Sequence, residues 1–220
     1  VFNLSKLLKS RGKHDGAGEE RLFWRWFLEH ESELYHFEED QDRIFDRLAA
    51  QFAKVDRELC FEFGPRLMKE GREAREFVIS AGGIKSSFPA VVSLAKAAPP
   101  LRKFYVTAFR PRRSTGHAVE CGGVSVSPEQ VQVSLLSDGK IAGLHLFLPD
   151  SIKDDRVRKI IGYLLLDEAL GEFDVETRVG LIKMHSIEQP MEFERMPLAE
   201  LPDAFDRLVA KLEGRGSQPN

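Results

Sequence analysis

Two cysteines, Cys60 and Cys121, are too few for a disulfide framework. Neither belongs to a C-x-x-C pair that would hold zinc or act as a redox couple. No stretch approaches the roughly 18 apolar residues of a membrane helix. The apolar run within residues 1–10 is too short for a signal peptide. These absences lead us to expect no membrane contact and a cytoplasmic location, where thiols stay reduced. A basic excess is missing too. Lys and Arg number 32 against 35 Asp and Glu, a net charge of −3, which argues against nucleic acid as a default partner. Tyrosine is scarce, three residues against sixteen Phe, so the aromatic weight suits a core or a greasy pocket rather than a polar sugar-binding face. The six histidines include no H-E-x-x-H or similar ligand pair, so we expect neither a metal nor a cofactor. Ser80 lacks a G-x-S-x-G context and has no His and Asp at a recognisable spacing, which argues against a serine hydrolase.

What remains is ordinary globular material, 42% apolar and 30% charged. We expect an N-terminal arm and flexible link over 1–18, one domain over 19–213 and a disordered tail over 214–220. Periodicity predicts helices over 19–35 and 40–59, the latter turning Ile44, Leu48, Phe52, Val55 and Leu59 to one side. Strands follow over 60–63 and 76–80. A helix over 87–98 is marked by Ser87 as cap, Pro89 in the first turn and Pro99-Pro100 as stop. A strand over 104–110 makes this a parallel crossover. Further strands are expected over 119–126, 131–136 and 141–148, with Asp138-Gly139 as a hairpin turn. A helix over 154–170 stops at Gly171. A strand over 177–185, apolar on both faces, is expected at the centre of the sheet. An amphipathic helix over 198–212 closes the chain. The sum is an α+β fold: a mixed, largely antiparallel sheet with packed helices and an N-terminal helical pair.

Four segments carry the functional expectations. In the first helix Phe23, Trp24, Trp26, Phe27, Leu28, Leu34 and Tyr35 cover an arc of roughly 240° at 100° per residue. That is more than one core face needs, so Trp24, Leu28 and Tyr35 become a candidate interaction surface. Glu31 falls inside the same arc, where a carboxylate must reach out or be paired. In residues 77–87, FVISAGGIKSS, a strand ends in two glycines, a lysine follows and a helix begins. Gly82, Gly83 and Lys85 thus suit an anion, although Ile84 separates Gly83 from Lys85 and no Walker A pattern exists. Residues 101–113 hold five bases and no acid, and Arg110 and Arg112 there suit carboxylate or phosphate. Glu172, Asp174 and Glu176 would line one face if that segment were extended, and they can answer those arginines.

Three phrases, residues 23–27 (FWRWF), 79–83 (ISAGG) and 166–172 (LDEALGE), resemble a family of uncharacterised bacterial cytoplasmic proteins. The resemblance runs from about residue 20 to 185. It implies a bacterial origin and carries over no catalytic residue. With no catalytic constellation in view, the leading expectation is a non-catalytic binding or protein-interaction module, covered by a second copy or another protein. The alternative is an enzyme or sensor for a phosphorylated or carboxylated small molecule. It would use Gly82, Gly83, Lys85, Arg110 and Arg112 for the anion and Glu31 or Glu172 as base.

Overall fold

The computed structural model describes residues 16–113 and 116–215. The expected arm over 1–18 and tail over 214–220 fall mostly outside them. Seven α-helices and nine strands are present among the described residues, in mixed, largely antiparallel sheets, so the fold is α+β. Contacts divide the chain into two compact units, one ending at Arg110 and the other running on from Pro111, where the sequence suggested one domain over 19–213.

The first unit opens with α1 (Gly16–Glu29), which stops at His30 before a short α2 (Glu31–Tyr35). The expected single helix over 19–35 is thus two. A 3-10 turn (Phe37–Glu39) leads to α3 (Gln41–Val55), with Ile44, Leu48 and Phe52 buried as their spacing requires. Strands β1 (Cys60–Lys69) and β2 (Arg72–Ser80) form an antiparallel hairpin, longer than the sequence suggested because residues 65–73, toward its turn, are mostly polar and exposed. Glu70 and Gly71 turn it with φ of 53° and 77°. A 3-10 turn (Lys85–Ser87) and α4 (Phe88–Lys96) return the chain to β3 (Phe104–Ala108), which lies parallel to β2. The expected crossover is therefore present, with Pro89 in the first turn of α4, although the Ser87 side chain caps nothing. The sheet order is β1-β2-β3.

One face of this sheet is built from Phe61, Phe63, Phe77 and Phe104. Phe23 and Phe27 of α1 and Phe52 of α3 pack on it as a single aromatic cluster. Arg75 also lies within, 3% exposed. It donates to the carbonyls of Tyr35 and Gly64, each at 3.0 Å, and pairs with Glu38. A buried guanidinium is tolerated because its donors and its charge are both answered.

In the second unit, β4 (Val119–Cys121) and β5 (Val124–Val126) form a ribbon around Gly122-Gly123. β6 (Gln132–Ser137) and β7 (Ala142–Leu148) form the hairpin expected at Asp138-Gly139. There Asp138 Oδ1 accepts from the N–H groups of Lys140 and Ile141, and Gly139 takes φ of 90°. α5 (Asp155–Leu170) is capped by Asp154 and ends at Gly171. α6 (Glu172–Arg178) is a helix, so the condition under which Glu172, Asp174 and Glu176 would line one extended face is not met. β8 (Val179–Ser186) then lies parallel to β7. β9 (Met196–Pro197) and, after a 3-10 turn, α7 (Leu201–Arg215) complete the unit.

The sheet order β8-β7-β6-β9 puts β8 at the edge, not at the centre. Its two apolar faces have different uses. Ile182 and Met184 join the core with Leu144, Leu146, Ile161, Leu165 and Phe205, while Leu181 stays 47% exposed on the other face.

Candidate functional site

The residues assigned to an anion site do not converge. Gly82 and Gly83 do lie where a ligand would be met, beyond the carboxyl ends of the parallel strands β2 and β3, with φ of 55° and 81°. The Ser80 hydroxyl accepts from Gly82 N–H at 3.0 Å, and Cys60 Sγ donates to it at 3.5 Å. Lys85 follows, exposed in the 3-10 turn. Arg110 reaches this end of the sheet, but its Nε is engaged by Glu62 of β1.

Glu31 is at the opposite end. One of its carboxylate oxygens accepts the N–H groups of Arg102 and Lys103 at 2.8 and 2.7 Å, ahead of the first residue of β3. Five strand residues, about 17 Å, separate that point from the glycine turn. Glu31 is thus neither a pocket wall nor a base near the anion. It fastens the chain entering β3.

Arg112 and Glu172 belong to the second unit. The Arg112 guanidinium donates to Leu170 O at 2.8 Å and pairs with Asp174 and Asp206, both at 2.8 Å. The Asp206 hydrogen bond, with Asp174 behind it, raises the pKa of Arg112, and the same bond lowers that of Asp206. The expected pairing of arginine with the acidic turn is present, and it consumes the charge intended for a ligand. Glu172 is fully buried in the first turn of α6.

The expected interaction surface is also redistributed. Trp24 is 3% exposed, against Phe23, Phe27 and Phe77, with its Nε1 donating to Leu94 O at 2.8 Å. Tyr35 is buried beside Phe104, and its hydroxyl donates to Glu73. That bond, ahead of burial, pushes its pKa up. Of the three residues only Leu28 faces water, at 45% exposure. The wheel overstated the surplus because α4 and α3 cover a second side of α1. Trp26, half-buried, stacks on His30 and under Arg47.

Two features were not foreseen. The first is a histidine pair on the face of the second sheet away from α5. His185 Nε2 and His145 Nδ1 share a hydrogen bond of 3.0 Å, and their rings stack at 4.9 Å. The connection 187–195 lies over them. Phe193 meets His145 edge-on at 4.8 Å, Arg195 sits 3.7 Å above Phe147, and Ser134 donates to Glu194 O at 2.6 Å. Burial, then the charges of His185 and Lys183, holds His145 below the usual imidazole pKa. The pair fastens this connection to the sheet. Its only sequence signal was a histidine in each of two strands, and their meeting needs the parallel register of β7 and β8.

The second is a cavity of about 260 Å³ where β7 and β8 begin, lined by Leu136, Ile141, Ala142, Gly143, Gly180 and Leu181 together with Ser137 and Asp138. Ile141, at 38%, and Leu181 are among its exposed walls. Gly180 lets Ile141 lie close, since a Cβ there would meet its Cγ2 at 2.9 Å. The cavity adjoins the edge of β8, which has no strand partner on its outer side among the described residues. A further concavity, about 270 Å³, is lined by residues 120–125 alone and is the inside of a turn.

Among the described residues no group of three or more His, Cys, Asp or Glu is placed to hold a metal ion, and no helix is long and apolar enough to cross a membrane. Compared with protein-family models, curated proteins and solved structures, the chain matches none.

Proposed function

We propose that this chain is a non-catalytic protein-interaction module, with its docking site on the second unit, at the edge of β8 and the cavity beside it. The observation that carries this reading is apolar surface next to unpaired backbone. Leu181 and Ile141 stand in water around a cavity, beside a strand whose outer side is open. Both features favour a protein segment over a small polar ligand, which would leave the apolar walls unused. The two half-buried free thiols, Cys60 and Cys121, fit a reducing compartment, and we place the protein in the cytoplasm.

The experiment is selection of a random decapeptide library on the immobilised full chain, with the Leu181→Asp variant as counter-selection. Leu181 is exposed, so this change leaves the core intact. Peptides enriched on the parent and lost on the variant support the reading. Enrichment of no peptide, or of peptides indifferent to Leu181→Asp, refutes it.

A further inference from the structure

We infer that the partner enters as an added β-strand along β8, with an apolar side chain for the cavity and, two residues on, a carboxylate for Lys183. This rests on the docking site just proposed and names its mode and its partner's chemistry.

The backbone gives the mode. In a parallel pair, alternate residues turn both their N–H and C=O groups toward the same neighbour. Ile187 N–H bonds to Leu148 O at 2.9 Å, which places residues 181, 183 and 185 toward β7. Ile182 and Met184 therefore direct their N–H and C=O groups to the open edge, while Ser186 O already accepts from Gln189 N–H at 3.1 Å. An eight-residue strand with one neighbour is a template for another strand.

The side chains give the partner. Leu181, Lys183 and His185 share the open face, since their alternates Ile182 and Met184 pack into the core. Leu181 borders the cavity and Lys183 is exposed two positions further on. Lys183 forms no salt bridge among the described residues. The third position meets His185, which is already hydrogen-bonded to His145 and shares a longer contact, 3.3 Å, with Gln189. A strand laid alongside thus meets an apolar recess and then a cation, at the two-residue spacing of its own side chains.

The same lysine argues against a second copy as occupant. The strand Val179–Ser186, VGLIKMHS, contains no acid, so a twin paired along this edge offers Lys183 no counter-charge. A lysine on an edge strand also deters indiscriminate pairing, which leaves the edge to a partner that can answer it.

The test uses the full chain and fluorescein-labelled decapeptides of alternating Thr and Val. One carries Leu and Glu two residues apart, a second carries Leu and Lys, and a third carries Ala and Glu. Anisotropy at low salt should show the Leu–Glu peptide binding best, with Glu→Lys weakening it about fivefold, the scale of an exposed ion pair. Lys183→Glu, an exposed change, should reverse that order. Hydrogen exchange should show the amides of Ile182 and Met184 slowed by the peptide. Equal binding of the Glu and Lys peptides, or an order unmoved by Lys183→Glu, overturns the inference. So does protection of those amides without peptide in a sedimenting dimer, which would make the occupant a second copy. If library-selected peptides bind through Leu181 yet slow no β8 amide, strand addition falls and the interaction module stands.

Discussion

Removing the ring of Phe77 should cost the first unit about 4 kcal/mol. Phe77 is fully buried, and six aromatic rings lie around it: Trp24, Phe27, Phe52, Phe61, Phe63 and Phe104, at centroid distances from 4.8 to 6.5 Å. Truncating a buried Phe to Ala costs about 3–5 kcal/mol, the upper part applying where neighbours cannot close the cavity. Here the neighbours are stiff rings on two helices and two strands, so little closure is possible. The favourable ring-to-ring geometry, about 0.5–1.5 kcal/mol for a pair, is lost as well. Both tryptophans of the chain lie in this unit, so selectively excited tryptophan fluorescence during urea unfolding reports on it alone. With a slope of about 1.5 kcal/mol per molar urea, the midpoint should fall by roughly 2.7 M. Phe77→Leu, which keeps most of the volume, should cost under about 1.5 kcal/mol and preserves a measurement if Phe77→Ala does not fold. A loss below about 1.5 kcal/mol for Phe77→Ala would refute the reasoning, because the cluster would then be loose enough to collapse.

Three further outcomes are expected. Arg75→Met should lower first-unit stability by about 3 kcal/mol in the same assay, because the carbonyls of Tyr35 and Gly64 lose their donor, while the half-exposed Glu38 keeps Arg66 at 3.5 Å. The His145 pKa is depressed by folding, so the unfolded chain takes up protons first, and stability should fall as pH drops below about 6.5. Calorimetric melts from pH 8 to 5 should show this slope, and His145→Gln should flatten it. Asp206 is likewise held below its usual pKa by Arg112, so its contribution is present above about pH 3.9 and lost below it. Its side chain is 58% exposed, so Asp206→Asn should remove only a small part of the acid-range slope in calorimetric melts, and less at high salt.

Local signals carried much of the fold. Ile44, Leu48 and Phe52 marked α3, Asp138-Gly139 marked a hairpin, and Gly171 marked the end of α5. The β2–α4–β3 crossover was also legible, since Pro89 and Pro99-Pro100 bracket the helix between two apolar strands. The errors came where distant residues decide the environment. β8 looked central because Val179 and Leu181 oppose Ile182 and Met184, yet an irregular register at its start lets Val179 join Ile182 and Met184 against the core and leaves Leu181 in water at the sheet edge. Glu31 looked like a carboxylate stranded in grease because its partners, the N–H groups of Arg102 and Lys103, are 71 and 72 positions away. Trp24 looked surplus because the wheel of α1 takes no account of α4, whose Leu94 carbonyl receives the indole. Of the candidate anion residues, Gly82, Gly83 and Arg110 did reach one end of one sheet. Arg112 was out of reach of any such reading, since its partners are set by the packing of α6 and α7.

The wiring of the two larger sheets sets an order in time. Each contains a hairpin, β1–β2 or β6–β7, closed by a tight turn, and then a third strand brought in parallel to the second by a helical detour. Contacts made across a few residues form before those that must first gather a long stretch of chain. β3 waits for residues 81–103 and β8 for residues 149–178. In a nascent chain, β7 therefore stands without its outer neighbour until two helices have formed. Of each hairpin and its crossover strand, the last to arrive is left at an edge of its sheet.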